Sequence, residues 1–228
     1  MSRRLAPLTP DTVADLPSPC ATCLNWELEP RLAGTVDSAG LAAEEKQAWF
    51  QNVYDRWGQC GRLALVDDQV VGYVTYAPAA MVPRAGSFPT SPISPDSVLF
   101  MTGGVLADHQ GGGIGRMLMQ AMAKDLTRRG YKAIEAFAST RRVQAELGSE
   151  PGCLISESFL GAVGFRVVRP HRDTPRMRLD LRTALAWRED VEHALEKILG
   201  GVRMPVLSSR DAHALDGPVS RETSAFGR

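Results

Sequence analysis

Hydrophobic positions along the chain change period several times, and each change marks an element. Arg4–Leu8 reads as a brief strand, with Pro7 tolerable only at a sheet edge. Thr9-Pro10-Asp11 supplies an N-cap residue, a proline at the first helical position and an acid in the first turn. A short helix is therefore expected until Pro17 and Pro19 stop it. Residues 18–40 read as a loop carrying Cys20, Cys23 and Trp26. From Leu41 to Trp57 the spacing turns helical: Trp49, Phe50, Val53, Tyr54 and Trp57 share one stripe, with Glu44, Glu45, Gln51 and Arg56 off it.

The period then falls to two. Arg62–Val66 and Val70–Tyr76 flank Asp67-Asp68-Gln69 and predict an antiparallel hairpin. Five prolines (78, 83, 89, 92, 95) make 78–96 a long irregular loop, a kind of segment usually tied to function. Ser97–Met101 predicts a buried strand running on through Thr102–Leu106, where Gly103 and Gly104 mark a bulge or a close backbone approach. Ile114–Arg129 predicts a helix with Ile114, Leu118, Ala121, Met122 and Leu126 inward and Gly130 closing it. Tyr131–Ala138 predicts a strand, 154–163 a helix closed by Gly164, and Phe165–Val168 and Arg176–Leu181 two further strands. Trp187, Val191, Ala194, Leu195, Ile198 and Leu199 share one side of an amphipathic helix over 183–199. Its stripe needs a partner, either the same sheet or a second copy in a homodimer. Periodicity is lost from Gly200, which predicts a flexible tail over 200–228. The order is α/β (α+β): a mixed, mostly antiparallel sheet with one central βαβ crossover.

A chain of 228 residues suits one domain, here 1–182 with a core of about 61–182, followed by the helix and tail. Lys plus Arg and Asp plus Glu both number 26, so the formal charge is +0 and no basic excess argues for nucleic acid. No apolar run approaches the roughly 20 residues of a membrane span. Prolines interrupt the N-terminal stretch before any signal-like core, so a cytoplasmic protein is expected. The cysteines Cys20, Cys23, Cys60 and Cys153 are then expected to be reduced. Cys20-Ala-Thr-Cys23 has a zinc-like spacing without a second pair, so inert thiols are expected and no metal is assigned.

The sharpest chemical signal is Gln110-Gly111-Gly112-Gly113-Ile114-Gly115-Arg116, between a strand and a helix. Glycines here bare successive backbone N–H groups at a helix N-terminus, where those donors and the helix dipole favour an anion such as a pyrophosphate. The bland reading is a flexible turn. The P-loop is excluded because no Lys-Ser/Thr follows the last glycine, and the dinucleotide fingerprint because its glycine spacing is not met.

Gln110, Gly113 and Gly115 resemble the pyrophosphate loop of the GNAT acyltransferase superfamily, Gln/Arg-x-x-Gly-x-Gly/Ala. Phe159-Leu160-Gly161-Ala162-Val163-Gly164-Phe165 is similar to that family's final helix, which typically ends Leu-Tyr-x-x-x-Gly-Phe. The resemblance runs from about Leu5 to Leu181. It implies a GNAT-like acyl-CoA N-acyltransferase fold with splayed parallel strands, 97–106 and 131–138. It also implies acetyl-CoA as co-substrate and direct attack by the amine of an unidentified acceptor. Gln110, Gly111, Gly112, Gly113, Ile114, Gly115 and Arg116 would hold the pyrophosphate, and Val105 and Leu106 would contact the pantetheine arm.

Proton transfer has several candidates. Glu135 lies mid-strand between Ala133 and Phe137 and is either a base or half of a structural ion pair with Lys132 or Arg141. His171 sits in the last hairpin loop. Where relatives carry a tyrosine acid this chain has Leu160, leaving Tyr73, Tyr76 or Cys153 as substitutes. The same count puts Cys153 at the start of the final helix, where the dipole would favour its thiolate or a mixed disulfide with CoA. A donor-binding regulatory or sensor module without turnover is the competing reading. Loops 18–40, 78–96 and 170–175 are expected to shape the acceptor pocket.

Overall fold

The computed structural model describes residues 2–147, 153–184 and 206–207. Arg3–Pro7 form β1, an edge strand as Pro7 requires. The next turn is shorter than the expected helix: Pro10–Asp15 wind as a 3-10 helix. Helix α1 (Pro30–Ser38) falls inside the expected loop. Its starting proline suits a first helical position, but Gly34 and an exposed Leu32 leave no readable stripe. Helix α2 (Ala42–Trp57) follows, with Phe50 and Val53 buried and Tyr54 exposed.

Strands β2 (Gly61–Val66) and β3 (Gln69–Ala77) form the expected hairpin. Asp67 and Asp68 take φ of 47° and 65°, the left-handed pair that a tight two-residue hairpin turn needs. After 3-10 turns at Ala79–Met81 and Pro83–Ser87 come β4 (Ser97–Leu106), α3 (Ile114–Arg128) and β5 (Ala133–Ser139), the parallel crossover. The short elements α4 (Arg141–Leu147), β6 (Ile155–Ser156) and α5 (Glu157–Ala162) lead to β7 (Arg166–Arg169) and β8 (Arg176–Asp180). A last turn, α6 (Leu181–Ala184), ends the continuous stretch, and β9 (Val206–Leu207) stands beyond it. Most of the expected helix 183–199 lies outside the described residues, as does the tail apart from β9.

The sheet runs β1-β2-β3-β4-β5-β8-β7, with β6 against β5 and β9 against β4. β4 is buried along nearly its whole length because both of its faces are covered. On one face Val98, Phe100 and Val105 meet Leu118, Met122 and Leu126 of α3. On the other, Leu99 and Met101 join Leu8, Trp26, Phe50 and Phe137. Burying one such side chain contributes about 1.5–3 kcal/mol, so the two layers hold β4 as the fixed spine of the molecule. The described residues contain no helix long and apolar enough to cross a membrane.

Candidate functional site

The glycine loop leaves a helix end open. Past β4, Ala107–His109 make a 3-10 turn, and Gly111 and Gly113 take φ of 79° and 78°. Those left-handed angles are why glycine is needed at the two positions. Gly113 is the N-cap of α3 and no side chain caps it. The first helical bond is Met117 N–H to the Gly113 carbonyl at 3.0 Å, so the N–H groups of Ile114, Gly115 and Arg116 have no acceptor within the helix. A Cβ placed on Gly111 or Gly113 would meet nothing within 4 Å, so the space in front of the loop is open.

Two side chains brace this loop. Gln110 Nε2 donates to the Val105 carbonyl at 3.1 Å, tying the loop back to β4. Arg3 Nη1 donates to the Gly112 carbonyl at 2.8 Å and brings a guanidinium to the loop from the edge strand. Arg3 was invisible to sequence reasoning, because 109 residues separate it from Gly112 and no motif links them.

Beside the loop the sheet opens. β4 and β5 pair only at Ser97–Leu99 against Ala133–Glu135. Beyond that, β5 turns to β6, with Ala138 and Ser139 against Ile155 and Ser156. The bulge in β4 sits at Met101, since Thr75 faces Thr102 while Tyr76 faces Phe100. The glycines mark the close approach instead: a Cβ on Gly72 would lie 3.0 Å from the Gly104 carbonyl oxygen. The widening gap is closed at its far end by β9, which pairs in parallel with Val105 and Leu106. The backbone edge expected to receive a pantetheine arm thus carries a strand of the chain itself at those two residues.

Over this gap the fold gathers sulfur. Cys23 Sγ lies 3.1 Å from Cys153 Sγ, and Tyr73 Oη donates to Cys20 Sγ at 2.6 Å. Tyr73 stands opposite Gly104 in β4, and Cys153 precedes β6. Cys153 is not at a helix N-terminus: α5 starts at Glu157 and is capped by Ser156, whose hydroxyl accepts from Phe159 N–H at 3.1 Å. The expected lowering of its pKa is therefore reversed. The Cys23 partner and burial push the Cys153 thiol up, while the thiol of Cys153 holds Cys23 down to about 6. The negative charge rests on Cys23 because Asn25 N–H and the Lys46 ammonium favour it there. Burial raises Cys20 and Tyr73, and pushes the remote Cys60 up to about 12. Among the described residues no group of three or more His, Cys, Asp or Glu is placed to hold a metal ion.

The acid–base candidates fare differently. Glu135 is fully buried, with Arg178 Nη1 at 3.0 Å, Arg176 Nε at 3.4 Å and Ser94 N–H donating to it at 3.2 Å. Its ion-pair partners are thus these β8 arginines and not Lys132 or Arg141. His171 uses Nδ1 to accept from Asp173 and Thr174 N–H, at 3.2 and 3.0 Å, and so holds its own loop. Leu160 is buried in the α3 layer, and Tyr76 Oη donates to Asp125 at 3.0 Å in that same layer.

The three loops do converge. Phe88 stacks on Phe137 at 4.3 Å and on Trp26 at 5.4 Å, and Thr90 Oγ1 donates to the Thr174 carbonyl at 3.0 Å. A cleft of about 500 Å³ opens between α2 and the 79–81 turn, lined by Glu27, Glu45, Asn52, Arg56 and Met81 among others. Loops 18–40 and 78–96 border it, and 170–175 does not. Under it runs a buried ion pair that the sequence did not disclose, Lys46 with Glu27. Lys46 Nζ also donates to the Cys23 carbonyl at 2.7 Å, linking cleft and thiols.

An uncapped helix end thus lies beside a parallel strand pair that parts after three residues. The family model for the acetyltransferase (GNAT) family matches residues 20–146, and the chain belongs to that family. Its fold is similar to the PaiA N-acetyltransferase from Thermoplasma acidophilum in complex with coenzyme A, with a TM-score of 0.51 and 12% identity. That likeness covers 79% of this chain and 99% of the other. The N-acetyltransferase from Staphylococcus aureus Mu50 aligns with a TM-score of 0.48 and 15% identity, over 79% and 99%. Ard1 from Thermoplasma volcanium aligns with 0.48 and 13%, over 79% and 98%. No curated protein matches the chain.

Proposed function

We propose that the protein is an acetyl-CoA-dependent N-acetyltransferase acting on a primary amine, working in the cytoplasm. The observation that carries this reading is the uncapped N-terminus of α3 behind two left-handed glycines with open space before them. Its N–H groups suit a pyrophosphate, and the β4 edge over 100–104, paired by neither β5 nor β9, offers main-chain groups to an amide-bearing arm. Gly111 to Arg116 would bind the diphosphate, Gln110 would brace the loop, and Arg3 would add positive charge. Bound acetyl-CoA would supply the acetyl thioester.

The chain's own groups must then take a proton from the amine and return one to the departing sulfur. Cys153 Sγ, whose raised pKa keeps it protonated, is the donor we favour. The Cys23 thiolate beside it can hold the proton that the amine loses. Glu135, held by two arginines, is a positioning residue that fixes β5 against β8. The acceptor would enter by the α2 cleft, where Glu45 offers a carboxylate to a cationic amine.

The donor-binding sensor reading has an observation in its favour: Leu160 fills the place of the family's tyrosine, and the hydroxyls of Tyr73 and Tyr76 are both engaged. One pair of measurements separates the readings. Calorimetric titration with CoA should give binding to the native chain and at least about tenfold weaker binding to Gly115→Glu. Absence of binding to the native, folded chain overturns both. Release of free CoA from acetyl-CoA over a panel of amines supports the transferase, and binding without release on any acceptor supports the sensor.

A further inference from the structure

The cysteines split into two kinds. Cys60 is sealed in the core, and Cys20 is buried under the Tyr73 hydroxyl. Cys23 and Cys153 are only partly covered and face each other at 3.1 Å, although 130 residues separate them in sequence. Both are fixed from outside the pair. Cys23 donates its N–H to the Pro19 carbonyl at 2.9 Å, and its own carbonyl receives Lys46 Nζ. The Cys153 carbonyl receives Trp26 Nε1 at 3.3 Å, so the segment holding Cys23 also grips the backbone of Cys153. The two sulfurs need to approach by only about 1 Å to reach bonding distance.

We propose that Cys23 and Cys153 are a reactive dithiol that hydrogen peroxide converts to a reversible disulfide, stapling the 18–40 segment to the strand β6 side of the gap. The Cys23 thiolate attacks one peroxide oxygen. A sulfur–oxygen bond forms, the oxygen–oxygen bond breaks, and the departing hydroxide takes a solvent proton to become water. Sulfur is oxidised to a sulfenic acid and the peroxide is reduced. Cys153 sulfur then attacks the sulfenic sulfur. The disulfide forms, the sulfur–oxygen bond breaks, and the leaving hydroxide carries off the Cys153 thiol proton as a second water. Two thiols and one peroxide thus give one disulfide and two waters. A dithiol reductant reverses the change by exchange. The depressed Cys23 pKa supplies the attacking thiolate at neutral pH.

The proposal does not rest on acyl-CoA binding, and its test leaves CoA out. The reduced full chain is treated with hydrogen peroxide at a slight molar excess, alkylated, digested and mapped by mass without reduction. The expected result is a linked peptide joining Cys23 to Cys153, short of two hydrogens and cleaved by dithiothreitol. Cys20 and Cys60 should be recovered alkylated only after unfolding. In Cys153→Ser, dimedone should label Cys23 as a trapped sulfenic acid, and in Cys23→Ser Cys153 should stay a thiol. Recovery of both thiols free after peroxide, or a Cys20–Cys23 link in their place, overturns it. If the serine variants do not fold, the native chain still decides, because the linked peptide either forms or does not.

Discussion

Arg178 stands directly across the sheet from Glu135, on β8 against β5, and its Nη1 lies 3.0 Å from the Glu135 carboxylate. The same guanidinium reaches both oxygens of Asp96 at 2.9 Å, holding that carboxyl below the usual range. Arg176 closes on Glu135 from two residues away, and no solvent reaches the carboxylate. Removing one partner of a buried pair leaves a charge stranded. Glu135→Gln should therefore lower stability by about 2–4 kcal/mol, read by urea unfolding, while CoA affinity holds. A folded variant of unchanged stability whose turnover collapses would make Glu135 a base after all.

Arg3 should matter to the donor. Its guanidinium is fixed on the Gly112 carbonyl and exposed to solvent, so it adds field to the open helix end at little desolvation cost. Arg3→Gln should weaken CoA binding by about three- to tenfold in calorimetry, and the gap should shrink as salt rises. An equal loss at low and high salt would mean that Arg3 shapes the loop without attracting charge.

Strand β9 and a pantetheine arm would use the same stretch of main chain, since Val206 and Leu207 already pair with Val105 and Leu106. Removing residues 200–228 should therefore raise CoA affinity, and the rate of association more than the rate of release. Unchanged or weaker binding in the shortened chain would show that β9 leaves the arm's path clear or helps to form it.

Cys23 ties stability to pH. Its pKa in the folded protein is about 6, against an ordinary value of 9.0, so the native state releases this proton earlier than the unfolded chain does. The resulting stability is present in full above about 9 and is lost as pH falls through about 6. Under reducing conditions, the unfolding free energy should rise between those values in the native chain. Cys23→Ser should flatten that rise, and iodoacetamide labelling of Cys23 should show its midpoint near 6. A labelling midpoint close to 9 would place the thiolate elsewhere.

What the sequence disclosed follows from how local each signal is. The hairpin at Asp67-Asp68, the β4–α3–β5 crossover and the Gln110–Arg116 loop are each specified within a few residues, by alternation, by glycine and by helical spacing. What escaped depends on partners far along the chain. The edge of β1 meets the glycine loop through Arg3, Lys46 pairs with Glu27 from beyond helix α1, and Cys23 meets Cys153. Lys46 lies in line with Phe50 and Val53 on the apolar stripe of α2, and only tertiary structure shows the carboxylate that lets it be buried there. The sequence places a helix start near residue 154, where Ile155 is apolar at a helical spacing, yet Ile155 pairs as strand with Ala138. Gly103 and Gly104 are consistent with either a bulge or a close backbone approach; the approach is at Gly104, while the extra residue of the bulge is Met101, whose bulk fits the layer under α2.

The stacked rings of Trp26, Phe88 and Phe137 carry a lesson for anyone who would redesign this molecule. Each ring comes from a different segment, and Phe88 stacks on both of the others. Grafting one segment from a homologue would orphan its neighbours' aromatic faces and shift the borders of the α2 cleft. Retargeting by chimera should succeed only when residues 18–40 and 78–96 travel together and arrive with an aromatic residue at 137 to receive them.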